Sequence, residues 1–160
     1  MTKEDVLEAL QAVKDPEIPT ISVVDMGIVT NVSVDGDAIA VTMTPTFVGC
    51  PAIDVMRSDI EEVCKGLGFA RVSVQVTFDK PWSSNCINAR GRQGLLKHGL
   101  APPAEHSGSL GPELEELNHI PCPVCGSSDT KLVSPFGPTL CRSIHKCNSC
   151  KETFEAFKPA

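Results

Sequence analysis

Hydrophobic and polar positions recur with two different periods along the first hundred residues, and the changes of period mark the elements. Val6, Leu7, Leu10 and Val13 keep helical spacing behind Thr2 and Asp5, which read as a capping box, so a first helix is expected to end before Asp15-Pro16. Ile28 to Val34 and Ala38 to Thr44 are rich in β-branched residues and flank Asp35-Gly36-Asp37, whose glycine supplies the positive φ of a tight turn. A β-hairpin is expected there. After the loop Pro45 to Pro51, the three-to-four-residue spacing of Ile53, Met56, Ile60, Val63 and Leu67 marks a helix over 52–65 that Gly66 and Gly68 terminate. Val72, Val74, Val76 and Phe78 then alternate with polar residues, the pattern of a strand with one buried face. This strand should run parallel to the second hairpin strand, because the helix between them is the crossover that parallel pairing needs. A closing helix is expected over 87–98. Together these elements predict an α/β (α+β) domain over residues 1–100, with a small mixed sheet in α-β-β-α-β-α order.

The pattern then stops. Pro102, Pro103, Ser107, Gly108, Ser109, Gly111 and Pro112 cannot bury enough apolar surface to offset the entropy of ordering, so 101–118 is expected to be a flexible linker. Residues 119–160 remain as a second, smaller domain. A length of 160 residues suits one ordinary core plus something small.

Charge and cysteine usage narrow the chemistry. A net charge of −6 and a pI near 5.1 argue against nucleic-acid binding, which needs Lys and Arg to displace counterions from phosphates. No run of 18 apolar residues exists, so no membrane association is expected, and the start Met1-Thr2-Lys3-Glu4-Asp5 lacks the features of an export signal. A cytoplasmic location follows as an expectation. In a reducing compartment, eight cysteines point to metal binding or thiol chemistry rather than a disulfide framework.

Cys122-x2-Cys125 and Cys147-x2-Cys150, 21 residues apart, are the strongest chemical signal. Each pair can offer two sulfurs from one tight turn to a tetrahedral ion, with Gly126 suited to the turn and a hairpin through Lys131 to Val133 and Ile144 to Lys146 between the pairs. The expected fold is a four-cysteine zinc ribbon. So short a segment cannot hold itself together by apolar burial, whereas zinc supplies about 10–16 kcal/mol in small sites of this kind. Four protein ligands close the shell, so the Zn2+ should be structural rather than hydrolytic, although the same all-sulfur geometry also suits iron. Cys141 is one thiol more than the ion needs, either spare or an additional functional thiol. His145 is expected at an exposed strand position.

In the first domain, Cys50-Pro51-Ala52 places a thiol just before a helix whose first position is read as proline, where helix N–H groups favour a thiolate. Cys50 is therefore reactive, metal-binding, or a quiet loop thiol. Cys64 falls on the apolar helix stripe and reads as core. Asp15 and Asp25, each judged alone, read as turn or capping residues. A thiol-redox reading would need a resolving partner for Cys50, and Cys86 is the candidate nearest to it among the remaining thiols.

The run Asp15-Pro16-Glu17-Ile18-Pro19, then Ser22-Val23-Val24-Asp25-Met26-Gly27-Ile28-Val29 and Thr44-Pro45-Thr46-Phe47-Val48-Gly49-Cys50-Pro51-Ala52, resembles the small-domain family of iron–sulfur cluster assembly factors over most of residues 1–100. Together with Lys80-Pro81-Trp82-Ser83-Ser84, Gly99-Leu100-Ala101-Pro102-Pro103 and a ribbon ending Phe154-Glu155-Ala156-Phe157-Lys158, the chain resembles the D-subunit family of phenylacetyl-CoA epoxidase systems. Cys86, where an aromatic would be expected, and the segment Cys141 to Cys147 depart from that pattern. The resemblance implies an accessory protein that helps mature a multicomponent oxygenase in aerobic phenylacetate degradation. Catalysis would lie on other chains. It also implies a transient iron–sulfur cluster held at Cys50 with Asp15 and Glu17 beside it. The implied partners are the oxygenase and ferredoxin-reductase subunits and, for cluster sharing, a second copy in a homodimer. A non-catalytic structural adaptor and a general cluster carrier are the alternative roles.

Overall fold

Thr2 starts the first helix through the predicted box: its Oγ1 accepts from the Asp5 N–H at 3.2 Å, and the Asp5 carboxylate accepts from the Thr2 N–H at 2.8 Å. The computed structural model describes residues 1–46, 49–104 and 118–158. Helix α1 (Lys3–Ala9) and a 3₁₀ turn (Leu10–Ala12) bury Val6 and Leu10. A pairing that periodicity did not announce follows: β1 (Lys14–Asp15) lies antiparallel to β2 (Ile18–Ser22) around Pro16-Glu17. Two residues are too few to display a period.

The predicted hairpin is β3 (Val29–Asp35) and β4 (Ala38–Met43), turned at Gly36 with φ 59°. Helix α2 (Ile53–Gly66) carries the chain across, and Gly68 at φ 95° follows its end. Strand β5 (Arg71–Val76) then pairs in parallel with β4, giving the sheet order β3-β4-β5. Met56, Ile60 and Cys64 form the buried stripe of α2, which makes Cys64 core as expected. The predicted buried face of β5 differs. Val72, Val74 and Val76 are half-buried and Phe78 is 51 % exposed, because β5 is the sheet edge.

A 3₁₀ turn (Ser84–Cys86) leads to α3 (Ala89–Lys97), the expected closing helix. The chain divides into two compact units, residues 1–82 with 86–91, and residues 83–85 with 92–160. Strand β6 (Leu100–Ala101) is fully buried and hydrogen-bonds into the sheet of the second unit, so the expected linker begins inside a strand. Most of the rest of 101–118 lies outside the described residues.

The second unit contains the predicted ribbon hairpin, β7 (Thr130–Ser134) against β8 (Arg142–Cys147). It also contains β9 (Thr153–Phe157), antiparallel to β8 and parallel to β6, so the sheet order is β6-β9-β8-β7. Its core gathers Ala101, Ile120, Cys122, Cys147, Phe154 and Ala156. Among the described residues no helix is long and apolar enough to cross a membrane.

Candidate functional site

Two knuckles of the same design hold the four ribbon cysteines. In the first, the Gly126 N–H donates to the Cys122 carbonyl at 2.8 Å and the Cys122 N–H to the Ser127 carbonyl at 2.9 Å. In the second, the Cys147 N–H donates to the Glu152 carbonyl at 2.9 Å, and the Cys150 N–H reaches the Cys147 Sγ at 3.5 Å. Each knuckle needs a left-handed residue directly after its second cysteine. Gly126 takes it at φ 78°, but Lys151 takes it at φ 67°, against the steric preference of its Cβ. Lys151→Gly is therefore expected to raise the stability of the metal-loaded ribbon by about 1 kcal/mol, read as a shift in its denaturation midpoint. Side-chain links join the knuckles: Ser127 and Ser149 share a hydroxyl hydrogen bond at 2.8 Å, and Asn148 donates to Asp129 at 3.0 Å.

The four sulfurs all lie within 4.8 Å of one another, with Cys122 to Cys150 at 3.7 Å and Cys125 to Cys147 at 3.5 Å. A tetrahedron of thiolates at about 2.3 Å from a metal has edges of about 3.8 Å, so the donor set fits such an ion. Its electrostatics ask for one. The Cys150 N–H hydrogen bond is the largest influence drawing the Cys147 thiol down to about 7. At Cys150 the Glu152 N–H pulls downward, but desolvation and the three neighbouring sulfurs together raise it to about 12. Four thiolates at contact distance are stable only around a cation, which also makes metal affinity fall as pH falls.

Cys141 does not join this cluster. It sits at the opposite end of β8 from Cys147, about 20 Å along a strand rising about 3.3 Å per residue, and its Sγ contacts the Thr139 hydroxyl at 3.1 Å. Cys141→Ser should leave the metal content per chain unchanged by atomic absorption.

His145 overturns the exposed-strand expectation. It is fully buried, pairs through Nε2 with the Ser143 hydroxyl at 2.6 Å and stacks on Phe154 with ring centroids 5.4 Å apart. Burial lowers its pKa and keeps it neutral. The signal was available: side chains alternate along a strand, so the inward Cys147 puts His145 and Ser143 on its own face.

In the first unit, Cys50 is half-buried in the loop between β4 and α2, and its carbonyl accepts from the Ile53 N–H at 3.3 Å. The helix begins later than expected. Ala52 is the N-cap, so Pro51 is not the first helical residue and Cys50 stands two residues ahead of the cap. Asp15 and Glu17 lie at the β1–β2 turn, where the Asp15 Oδ1 accepts from the Glu17 N–H at 2.8 Å. Cys86 is exposed, and its Cβ lies where a side chain on Gly27 would have to go, 2.5 Å away. With φ at 76°, only glycine fits that position.

Asp25 has a larger structural role than a lone turn residue. Its Oδ1 accepts from Asn88 at 2.8 Å and Gln11 at 3.2 Å, its Oδ2 from Arg90 at 2.9 Å, and its carbonyl from the Asn88 N–H at 3.1 Å. Ser22 donates to Gln11 and accepts from the Asp25 N–H, extending the network. The Trp82 indole donates to the Met26 carbonyl at 2.9 Å. Asp25-Met26-Gly27 is thus the clasp that holds Trp82 and residues 86–91 within the first unit.

Comparison with known proteins matches this division. Residues 3–78 match the iron-sulfur cluster assembly protein family, and residues 108–158 match the PaaD zinc beta ribbon domain. A chain of Escherichia coli (strain K12) named as the putative D subunit of a 1,2-phenylacetyl-CoA epoxidase is 37 % identical over 93 % of this chain and 88 % of its own length. A protein of Porphyromonas gingivalis named as an Fe-S protein maturation auxiliary factor is 36 % identical, covering 62 % of this chain and 92 % of its own. Among solved structures, a domain of unknown function from Bacillus anthracis superposes with a TM-score of 0.54 at 28 % identity, covering 58 % of this chain and 90 % of that one.

Proposed function

Because this chain belongs to the family of phenylacetyl-CoA epoxidase D subunits, we propose that it serves a ring-epoxidising multicomponent oxygenase as an accessory maturation factor. The observation that carries the reading is the joining, in one chain, of an iron–sulfur assembly domain and this family's ribbon, aligned over 93 % of the length. An iron–sulfur cluster is the cargo, and the oxygenase and ferredoxin-reductase subunits are the recipients.

Each unit then has its own task. Cys50 holds the cluster transiently, with the carboxylates of Asp15 and Glu17 as the acidic groups of that site, and a second copy supplies further thiolates, since cluster iron takes sulfur ligands. The ribbon holds Zn2+ through Cys122, Cys125, Cys147 and Cys150, and the closed shell makes the ion a structural clip. Val124, Val133, Phe136 and Leu140 are more than half exposed on the ribbon, which favours an additional adaptor role in docking the recipient.

Anaerobic reconstitution with iron and sulfide tests the cargo role. Wild type should gain cluster absorbance, and Cys50→Ser should lose at least nine-tenths of it while keeping its zinc. Equal spectra for the two proteins would sink the proposal. If Cys50→Ser instead leaves both the spectrum and co-purification with the oxygenase subunits intact, the adaptor role alone remains.

A further inference from the structure

The valine row of β5 is only half-buried, and the strand closes its sheet without a neighbour among the described residues. The Arg71 and Thr77 N–H groups donate inward to the Asp37 and Met43 carbonyls. By the alternation of a parallel ladder, the backbone groups of Val72, Val74 and Val76 point outward along the free edge. Natural edges are blunted by proline, bulges or several charges. This one has none of the three. Its register with β4 runs unbroken, it contains no proline, and Arg71 is its single charge, whereas the opposite edge strand β3 is bulged between Val29 and Asn31.

We infer that β5 is a self-association edge, pairing antiparallel with β5 of a second copy about a twofold axis at Gln75. This register makes every side-chain pair complementary. Val74 faces the partner's Val76 and Val72 faces the partner's Phe78, so the half-buried row and the 51 % exposed ring cover each other. On pairing, β5 lengthens from its end at Val76 through Asp79, which lies in a bend held by its N–H to the Thr77 hydroxyl. On the other face Ser73 then meets the partner's Thr77, and Arg71 meets the partner's Asp79, an opposite-charge pair at each end. Arg71 already bonds Asp37 at 2.7 Å, and its guanidinium has donors left for a second carboxylate. Two three-stranded sheets become one of six strands. The inference rests on strand geometry and holds whether or not Cys50 carries a cluster.

The full-length, zinc-loaded protein tests it in two ways. Gln75→Cys puts the symmetric residues at a non-hydrogen-bonded pair, about 4.5 Å apart at Cα, so mild oxidation should give a linked dimer whose 75-to-75 peptide is found by mass spectrometry. Ser73→Cys, out of register, should link far less. By sedimentation, Asp79→Lys should raise the dimer dissociation constant at least tenfold, and adding Arg71→Glu should restore it. A monomer at every concentration overturns the inference and leaves the edge to a strand of another protein. A dimer unmoved by Asp79→Lys, or equal linking of Gln75→Cys and Ser73→Cys, overturns it as well.

Discussion

Cys147→Ser should empty the ribbon of metal and unfold it while leaving the first unit intact. Metal analysis should fall from about one ion per chain to near none, and hydrogen exchange should show residues 118–158 losing protection while 1–82 keep theirs. The reasoning is one of scale. The ribbon core is a handful of buried side chains, two of which, Cys122 and Cys147, are themselves ligands. A core of that size contributes a few kcal/mol at most, against about 10–16 kcal/mol from a tetrahedral thiolate site. Serine keeps the volume but not the thiolate, so three sulfurs remain crowded around a vacant position. A ribbon that kept its protection without metal would mean that β6 and β9 suffice to hold it.

Those two strands show where sequence reading stops. The Cys-x2-Cys pairs, the β7–β8 hairpin between them and the whole β3-β4-α2-β5 order were legible, because each rests on local spacing or on a crossover rule. Strand β6 was not, since two residues have no period, and its partner β9 lies more than fifty residues away. Gly126 announced the first knuckle, but Lys151 concealed the second because nothing in a lysine signals a left-handed backbone. Cys50 was visible as a thiol near a helix start. Its proposed role rests on the resemblance of the surrounding segments, and its exact setting shifted once Ala52 proved to be the cap. Asp25 was hidden for the opposite reason: its partners come from two distant segments, Gln11 from one and Asn88 with Arg90 from the other, that only the fold brings together.

Asp25→Ala should accordingly destabilise the first unit by about 2 kcal/mol, the scale of losing several hydrogen bonds to one charged group whose partners can partly rehydrate. The side chain is 5 % exposed, and its loss strips acceptors from Asn88, Gln11 and Arg90 at once, of which Gln11 is half-buried and Asn88 and Arg90 are exposed. Arg90, 62 % exposed, and Asn88 can rehydrate, so the cost falls mainly on Gln11 and on the hydrogen bonds lost at the buried position itself. The same network gives a pH signature. Burial acts to raise the Asp25 pKa, but the hydrogen bonds from Asn88, Gln11 and Arg90, with the Arg90 charge, outweigh it and leave it below the usual 3.8. A carboxylate with a folded pKa below its unfolded one contributes stability that is present above the unfolded value and lost as pH falls through the folded one. Chemical denaturation of the wild type should therefore show stability declining below about pH 4. Asp25→Asn, which keeps the shape but cannot titrate, should flatten that part of the decline. An Asp25→Asn profile as steep as that of the wild type would assign the acid sensitivity to other carboxylates and give Asp25 no share in it.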